Sequence, residues 1–373
     1  MKRSLQRRVW VEIDIGRLRA NYRRIAEAVR PAKVMCVLKA NAYGLGVEPY
    51  AAALAKSSCV GFGVAEPHEA LQLLPFGKPV QILSSVLPDE IGPMVEAGIT
   101  LPVIDVPTAR LIDRAAGKIG RKAKVHFKID TGMGRLGILA ADAPRVIREV
   151  SAFSNLDCEG IFSHCPTAYD PADDFANDQI AVFKAILKDV AKDGITFSKI
   201  HIAASDAINN FPAARKPPFN IVRTGINLHG SFDPNGRRAL KLESVLTLKT
   251  RVAQVRLLPA GTTLGYGRTW CLSKPTRVAT ISAGYADGLP LALTNRGHVL
   301  IKGVPCPVIG RISMDYTTVD VSKVDGVNPG DEVIALGGTG KYAITPDDWA
   351  ALKGTHAYDI ICSFGNRVER RYC

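Results

Sequence analysis

The feature that most constrains the fold is a series of eight short apolar runs that alternate with amphipathic segments up to Gly225. Most runs are continuously apolar, as strands are when both faces of a sheet are covered. Eight strands alternating with helices are typical of a (β/α)8 barrel, whereas an open doubly wound sheet usually has fewer. We therefore predict α/β architecture with an N-terminal TIM-type barrel. Its strands are expected at Val34–Lys39, Cys59–Ala65, Val80–Ser85, Ile99–Asp105, Lys124–Asp130, Cys158–His164, Lys199–Ser205 and Asn220–Gly225.

Helices are expected between these strands. Apolar residues from Leu18 to Val29 recur at helical spacing behind Asp14, an N-cap residue. Those from Ile180 to Val190 form the longest such pattern.

The remainder of the chain has a different pattern, with short apolar segments separated by Gly and Pro turns. It predicts a mainly antiparallel β domain. We expect the boundary between Asp233 and Glu243, giving a barrel over 1–240 and a β domain over 241–373. The strands of this domain are expected at Val245–Leu257, Arg277–Ser282, Val299–Ile301, Pro307–Ile309, Thr317–Val321, Val333–Leu336 and Ile360–Phe364.

Net charge and cysteine usage limit the classes of partner and compartment. The charge of +13 comes from scattered Lys and Arg, which favours attraction of small anions over a nucleic-acid stripe. Eight single cysteines without a CxxC pair favour reduced thiols. No run approaches the roughly 20 apolar residues of a membrane span, and the basic N-terminus lacks the apolar stretch of a signal peptide. We predict a cytoplasmic protein without nucleic-acid, membrane or metal partners.

Polar residues follow the predicted strands at the ends where barrel enzymes place their chemistry. Together they predict a site for an anionic ligand with a carbonyl or acid–base component. These strand-end residues are Lys39, Ser84, Ser85, Asp105, Asp130 with the nearby Arg135, His164, Ser205 and Arg223.

Each of these side chains also has an ordinary interpretation. Lys39 could simply extend into solvent from a strand end, or it could be a desolvated amine that forms a Schiff base. Arg135 could belong to a routine turn or clamp a carboxylate. His164 could be a core histidine, and His201 could pack inside the barrel or orient a neighbour. The turn after Arg223 lies where barrels frequently bind phosphate.

Taken together, the motifs resemble those of alanine racemases along nearly the whole chain. In order, they are Val-Leu-Lys-Ala-Asn-Ala-Tyr-Gly-Leu-Gly (37–46), Lys-Ile-Asp-Thr-Gly-Met-Gly-Arg-Leu-Gly (128–137), Ser-His (163–164), His-Ile-Ala-Ala-Ser (201–205), Val-Arg-Thr-Gly-Ile (222–226), Gly-Tyr-Gly-Arg (265–268), Gly-Tyr-Ala-Asp-Gly (284–288), Gly-Arg-Ile-Ser-Met-Asp (310–315), Tyr-Asp-Ile-Ile-Cys (358–362) and Arg-Val-Glu-Arg-Arg-Tyr (367–372).

The resemblance implies a homodimeric isomerase that uses pyridoxal 5'-phosphate to interconvert L- and D-alanine for the bacterial cell wall. Lys39 would carry the cofactor and would alternate with Tyr266 as base and acid. The partner subunit would supply Tyr266, Tyr285 and Met314. The cofactor phosphate would be held by Tyr43, Ser205, Gly225, Ile226 and Tyr358.

The resemblance also assigns the remaining polar groups. Arg223 would face the pyridine nitrogen, and Arg135 would contact the cofactor's phenolic oxygen and the substrate carboxylate, which the Met314 N–H would share. His164 would support Tyr266. Lys128 matches a position that is carbamylated in many members, and the supporting residues would be Lys128, His201, Tyr285 and Asp315.

Departures from the family pattern and rival classes also bear on function. The segment after His164 and Ser313 both differ from the usual residues, which leaves substrate breadth open. Related amino-acid decarboxylases share the architecture but would need an acidic or cysteine-bearing motif in the β domain. Non-catalytic cofactor carriers of the same barrel type would end near the barrel, whereas this chain continues well past Leu240. The convergence of polar residues at the strand ends argues against a plain structural barrel.

Overall fold

The computed structural model describes residues 6–373, which divide into two compact units. The barrel unit comprises Arg19–Leu228 and Asn235–Leu242, and the sheet unit comprises the described residues up to Leu18, His229–Pro234 and Glu243–Cys373. In chain order the strands are β1 Trp10–Ile13, β2 Lys33–Val37, β3 Gly61–Val64, β4 Val80–Ile82, β5 Leu101–Val103, β6 Ala123–Asp130, β7 Ile138–Leu139, β8 Leu156–Phe162, β9 Lys199–His201, β10 Ile221–Thr224, β11 Leu246–Leu258, β12 Thr263–Leu264, β13 Trp270–Cys271, β14 Thr276–Ile281, β15 His298–Ile301, β16 Val304–Pro307, β17 Thr317–Asp320, β18 Glu332–Leu336 and β19 Glu369–Tyr372.

Parallel strands of the barrel unit form a closed ring. Backbone pairing is continuous through β10, β2, β3 and β4, and through β5, β6, β8 and β9. A parallel bridge between Gln81 and Thr100 joins β4 to β5. The N–H of Asn220 donates to the carbonyl of Ile200 at 3.0 Å and so joins β9 to β10. All eight predicted strands are present, and the predicted barrel is confirmed.

Seven of the eight observed barrel strands end earlier than predicted, whereas β6 ends at Asp130 as predicted. β9 ends at His201 and not at Ser205, because Ser205 begins the helix Ser205–Asn210. Most of the polar residues therefore lie just beyond the ladder, in the turns of the barrel mouth, while Asp130 and Arg223 lie within the last residues of β6 and β10. Their side chains are available for contacts there because the backbone has already left the sheet.

Helices connect the strands much as the apolar periodicity predicts. The predicted cap is confirmed, since Asp14 Oδ1 accepts the N–H of Arg17 at 2.8 Å. In the longest helix the buried Phe183 ring lies 5.7 Å from that of Phe219, and burying such a side chain stabilises by about 1.5–3 kcal/mol. The helices are Ile15–Ala28, Val47–Ala55, Pro67–Leu73, Pro88–Glu96, Val106–Lys118, Ala143–Ser151, Phe175–Val190, Ser205–Asn210, Pro346–Lys353 and Ala357–Cys362.

The sheet unit is mainly antiparallel, as predicted. Its principal sheet has the order β16, β15, β18, β11, β1, β19, and β14 pairs with both β11 and β17. The strand pair β1 and β19 is parallel. The long strand β11 is the centre of this sheet, because it pairs with β1, β14 and β18.

Three details of the sheet unit differ from the sequence predictions. The strand predicted at Ile360–Phe364 is wrong: these residues belong mostly to the helix Ala357–Cys362, whose first turn is capped by His356. The apolar residues of a six-residue helix give too short a pattern to distinguish a helix from a strand. The strand predicted at Pro307–Ile309 lies earlier, at Val304–Pro307. The strands β1, β12, β13 and β19 were not predicted.

No helix among residues 6–373 is long and apolar enough to cross a membrane. The eight cysteines are free thiols.

Candidate active site

Lys39 immediately precedes a turn of left-handed backbone at the end of β2. The residues Ala40–Tyr43 have φ between 51° and 59°, a conformation that costs L residues roughly 1–2 kcal/mol each. Asn41 holds the turn: its carbonyl accepts the N–H of Gly46 at 2.9 Å, and its side chain accepts that of Val47 at 2.8 Å. The backbone after Lys39 is therefore fixed by its own hydrogen bonds, and such strain is common at functional sites.

The ends of β2, β9 and β10 meet at a set of hydroxyl and backbone N–H groups. Tyr43 is buried, and a Cβ added to Gly225 would lie 1.9 Å from its hydroxyl oxygen. The Gly225 N–H donates to Ser205 Oγ at 3.2 Å. Ile226 then begins the short 3₁₀ turn Ile226–His229. We call Tyr43, Ser205, Gly225 and Ile226 the hydroxyl cradle.

Cationic and imidazole side chains cluster at the same end of the barrel. Burial, reinforced by the charges of Arg223, Arg135 and Lys39, lowers the pKa of Lys128 to about 8. Burial and the same cations lower the pKa of His164 to about 3. Lys39, Lys128, Arg135, His164 and Arg223 are therefore close enough to interact, and His164 is neutral at physiological pH. This region attracts anions such as carboxylate and phosphate.

Arg223 is buried and held by a set of acceptors that leaves its guanidinium little freedom. It donates to the carbonyls of Ser163 (2.7 Å) and Ile202 (3.1 Å), and to both the carbonyl and the ring Nδ1 of His201, at 3.2 and 2.8 Å. Burial lowers the pKa of Arg223 to about 10, so the side chain stays protonated at neutral pH. Because an arginine has no acceptor, whatever it faces must accept a hydrogen bond.

The loop that carries Arg135 is shaped by Asp130. One carboxylate oxygen accepts the N–H groups of Gly132, Met133 and Gly134 at 2.8–3.1 Å. Although burial opposes its ionisation, these backbone donors keep the pKa of Asp130 below its ordinary value. Gly137 allows the loop to return to β6, since a Cβ there would lie 2.7 Å from the carbonyl oxygen of Lys128. The role of Asp130 is thus to position the loop.

Two other strand-end residues have structural partners. Asp105 caps the helix Val106–Lys118 by accepting the Thr108 N–H at 2.7 Å, and Ser84 donates to the carbonyl of Ala65. Among residues 6–373 no group of three or more His, Cys, Asp or Glu side chains is arranged to hold a metal ion.

Tyr266, Tyr285, Met314, Asp315 and Tyr358 belong to the sheet unit. Tyr266 begins a short 3₁₀ turn and is 72% exposed. Met314 is 51% and Tyr285 43% exposed. Tyr358 lies in the helix Ala357–Cys362. The side chains of Tyr266, Tyr285 and Met314 are therefore accessible to another molecule.

Arg367 joins the two loops that carry Tyr285 and Met314. It forms ion pairs with Asp287 (2.8 Å) and Asp315 (2.7 Å) and donates to the carbonyl of Met314 at 3.3 Å. The Tyr285 N–H donates to the carbonyl of Ser313 at 3.1 Å. The two loops are therefore one hydrogen-bonded assembly with Arg367 at its centre.

Known families match both parts of the chain. The sequence pattern of the alanine racemase N-terminal domain matches residues 13–233, and that of the alanine racemase C-terminal domain matches residues 245–372. The chain belongs to the alanine racemase family.

Relatives in this family match over nearly their full length. Alanine racemase 2 of Caldanaerobacter subterraneus subsp. tengcongensis is 38% identical over 97% of this chain and 94% of its own. The alanine racemase of Symbiobacterium thermophilum is 35% identical, with 98% and 97% covered.

Solved alanine racemases have the same fold. The enzyme from the D-cycloserine producer Streptomyces lavendulae superposes with a TM-score of 0.92 at 32% identity, covering 99% of this chain and 98% of its own. The enzyme from Bartonella henselae, solved with covalently bound pyridoxal phosphate, superposes with a TM-score of 0.89 at 30% identity, covering 99% and 100%.

Within this alanine racemase fold, three buried or bridging side chains escaped the sequence analysis: His126, Glu159 and Arg367. A signal for His126 was present, because strand alternation puts residues 126 and 128 on the same face of β6. Glu159 carries no local signal, and Arg367, although it lies in the last family motif, could be given no role because its partners lie far away in the sequence. Ser313, which departs from the family pattern, closes its own turn by accepting the Tyr316 N–H at 3.2 Å.

Proposed function

We propose that this chain interconverts L- and D-alanine with pyridoxal 5'-phosphate held at the carboxyl ends of the barrel strands. Lys39 and Tyr266 are the two acid–base groups. The observation that carries the proposal is the meeting of the hydroxyl cradle, the buried Arg223 and the cationic cluster beside Lys39 at one barrel mouth.

The residues present fit this cofactor. The hydroxyl cradle has the donors that a phosphate requires, and it adjoins the turns after the seventh and eighth barrel strands, where barrels frequently bind phosphate. The tight contact between Tyr43 and Gly225 leaves room for backbone but for no side chain at residue 225. Ser205, Gly225, Ile226 and Tyr43, with Tyr358, would hold the phosphate.

When bound, the cofactor ring withdraws electrons from the α-carbon of the attached amino acid and makes its proton more acidic. Arg223 would face the ring nitrogen as a donor that keeps its own proton. The nitrogen then stays unprotonated and withdraws electrons less strongly, which limits side reactions such as transamination. Arg135 would hold the substrate carboxylate together with the Met314 N–H.

Racemisation needs a proton removed from one face of the α-carbon and another delivered to the opposite face. Two opposed groups do this most simply, so Lys39 and Tyr266 would alternate as base and acid. An unperturbed tyrosine, with a pKa near 10, is a weak base at neutral pH. His164, surrounded by cations, is the group we propose to support the tyrosinate.

Purified enzyme should convert either pure enantiomer of alanine to the racemate, measured by chiral chromatography, and L-serine is the second substrate to compare. Tyr266→Phe should reduce turnover strongly while the cofactor's visible absorption is retained. Tyr342→Phe, at another exposed tyrosine of the sheet unit, is the matched control. Release of carbon dioxide would indicate a decarboxylase, and cofactor binding without turnover would indicate a carrier.

We further propose that two copies share their active sites, with Tyr266, Tyr285 and Met314 of each completing the site of the other. Their exposure in the sheet unit supports this. Mixing Lys39→Ala and Tyr266→Phe subunits by co-expression gives the decisive test. Shared sites restore one complete site per mixed dimer, about a quarter of wild-type activity if chains pair at random. If each active site lay within a single chain, the mixed dimers would contain no complete site and would show no restored activity.

A role in supplying D-alanine for peptidoglycan, in the cytoplasm, follows as the biological proposal. Expression of the chain should let a bacterium that lacks alanine racemase grow without added D-alanine. The Tyr266→Phe variant, expressed at the same level, should not.

A further inference from the structure

A chain of hydrogen bonds leads from Arg223 through the barrel interior. Arg223 Nη1 lies 2.8 Å from His201 Nδ1, and His201 Nε2 lies 3.1 Å from His126 Nδ1. His126 Nε2 lies 3.2 Å from Glu159 Oε1, which also accepts a hydrogen bond from Lys199 at 2.7 Å. The imidazoles are 0% and 1% exposed. Four strands, β6, β8, β9 and β10, thus contribute to one connected polar chain.

The direction of every donor in this chain follows from its first member. Arg223 can only donate, so His201 Nδ1 must accept and the proton of that imidazole lies on Nε2. His126 Nδ1 must then accept from His201, and its own proton lies on Nε2, directed at Glu159. Both imidazoles are neutral, since protonation of either would place two donors face to face.

Neighbouring residues are shaped to hold these rings. A Cβ on Gly160 would lie 2.6 Å from ring atoms of His126, so only glycine lets that imidazole lie against β8. The Phe162 ring stacks on His201 at 5.0 Å between centroids with an interplanar angle of 10°. The absence of a side chain at Gly160 and the stacking of Phe162 thus orient the two rings independently of the hydrogen bonds.

The electrostatics agree with the donor directions. Burial, with the charge of Arg223 beside His201, lowers the pKa of both imidazoles. Although burial opposes its ionisation, hydrogen bonds from His126 and Lys199 hold the pKa of Glu159 at about 2. Neutral imidazoles and an ionised carboxylate are the species that the hydrogen-bond directions require.

We propose that His126 and Glu159 are positioning residues that act through His201 to hold the Arg223 guanidinium in place for the cofactor's ring nitrogen. This inference rests on the proposed function. Loss of the His126 acceptor would leave the buried His201 N–H without a partner. His201 would then be free to take its proton on Nδ1, which opposes the Arg223 donor and displaces it.

The donor directions can be tested directly in the holoenzyme by nuclear magnetic resonance of the seven histidines labelled with ¹⁵N. His126 and His201 are expected to show protonated Nε2 and unprotonated Nδ1 at neutral pH. Substitution of each histidine in turn assigns the signals. A proton on Nδ1 of either ring, or a doubly protonated ring, would overturn the proposal whether or not the enzyme racemises alanine.

Variants then test the positioning role. His126→Leu should lower kcat about tenfold, as expected when a buried N–H loses its acceptor, with KM for alanine little changed. It should also shift the visible absorption of the bound cofactor. His126→Asn, whose amide oxygen can replace Nδ1 as acceptor, should recover most of both. Glu149→Gln, which removes an exposed charge paired with Arg110, is the control.

A double variant separates a connected chain from two independent structural defects. Because His126→Leu already breaks the chain, adding Glu159→Leu should cost little further activity. The proposal would be overturned if the two substitutions lowered kcat multiplicatively in the double variant. It would also be overturned if the cofactor absorption were unchanged in His126→Leu, or if His126→Asn recovered neither kcat nor the absorption. If wild-type enzyme fails to racemise alanine, the proposed function fails, and the imidazole signals still decide the chain.

Discussion

The hydroxyl oxygen of Tyr43 lies so close to Gly225 that a Cβ on residue 225 would be 1.9 Å from it. Two turns that are far apart in the sequence thereby meet, one after β2 and one after β10. The register of those neighbouring strands brings them together, since Thr224 pairs with Cys36. The phosphate site that we propose depends on this contact.

Gly225→Ala should therefore weaken cofactor binding by at least about tenfold, because the methyl group must displace the Tyr43 ring or the β10 turn. Titration of apoenzyme with pyridoxal phosphate, followed by absorbance, measures this. Gly92→Ala is the matched control, since a Cβ there has open space around it. In a helix, that change should be neutral or stabilise by up to about 1 kcal/mol. Equal affinity for pyridoxal phosphate in both variants would rule out the hydroxyl cradle as the phosphate site.

Lys128 is expected to be carbamylated. Its lowered pKa of about 8, caused first by burial and then by the neighbouring arginines and Lys39, makes a neutral amine available near physiological pH. The fraction of neutral amine rises as the pH rises through 8, and with it the reaction with carbon dioxide. Enzyme equilibrated with ¹³C-bicarbonate should show a carbamate carbon signal that Lys128→Arg lacks. A spectrum without that signal in the wild type would show an unmodified amine.

Arg367→Lys should raise KM for alanine more than it lowers kcat. A lysine has a single charged nitrogen and cannot contact Asp287, Asp315 and the Met314 carbonyl together. The loop that carries the Met314 N–H would lose its fixed position, and a KM increase of about tenfold is expected. Arg371→Lys, in a half-buried ion pair with Glu369, is the control. A KM that responds equally in both variants would contradict a specific role for Arg367.

Stability should fall on mild acidification. Burial lowers the pKa of His126, His164, His201 and His229 below the ordinary 6.5. Below pH 6.5 the unfolded chain binds protons that the folded chain does not, so the free energy of unfolding decreases. His164, His201 and His229, whose pKa values lie far below 6.5, each contribute about 1.4 kcal/mol per pH unit, together about 4 kcal/mol, and His126 acts in the same direction.

Urea unfolding of the holoenzyme between pH 6 and pH 5 measures this slope, because the carboxylates with lowered pKa contribute mainly below that range. A slope near zero there would mean that the buried imidazoles take up protons in the folded state.

Much of the fold could be predicted because its signals are local. Most barrel strands come from largely apolar runs, and the cap at Asp14 is a contact between residues three apart. The helix Ala357–Cys362 was mistaken for a strand because its apolar segment is too short to show a period. β1 was missed because its strand partners, β11 and β19, come more than 200 residues later in the chain.

Some residues of the candidate site could likewise be predicted from local sequence signals, and others could not. Lys39, Arg135, His164, Ser205 and Arg223 could be identified because polar residues directly after apolar strands are visible in the sequence. The partners of Arg223 could not, because the chain from His201 through His126 to Glu159 forms only when the barrel closes.

The sequence by itself determined the number of barrel strands, the polar residues at their ends and the family to which the chain belongs. These are properties of neighbouring residues. Tertiary structure alone decided that Tyr43 touches Gly225, that Lys128 and His164 share one cationic region, and that Arg223 ends a buried hydrogen-bond chain. Such contacts join residues from separate strands. Their distances, and the pKa shifts that burial causes, arise only when the barrel has closed and excluded water.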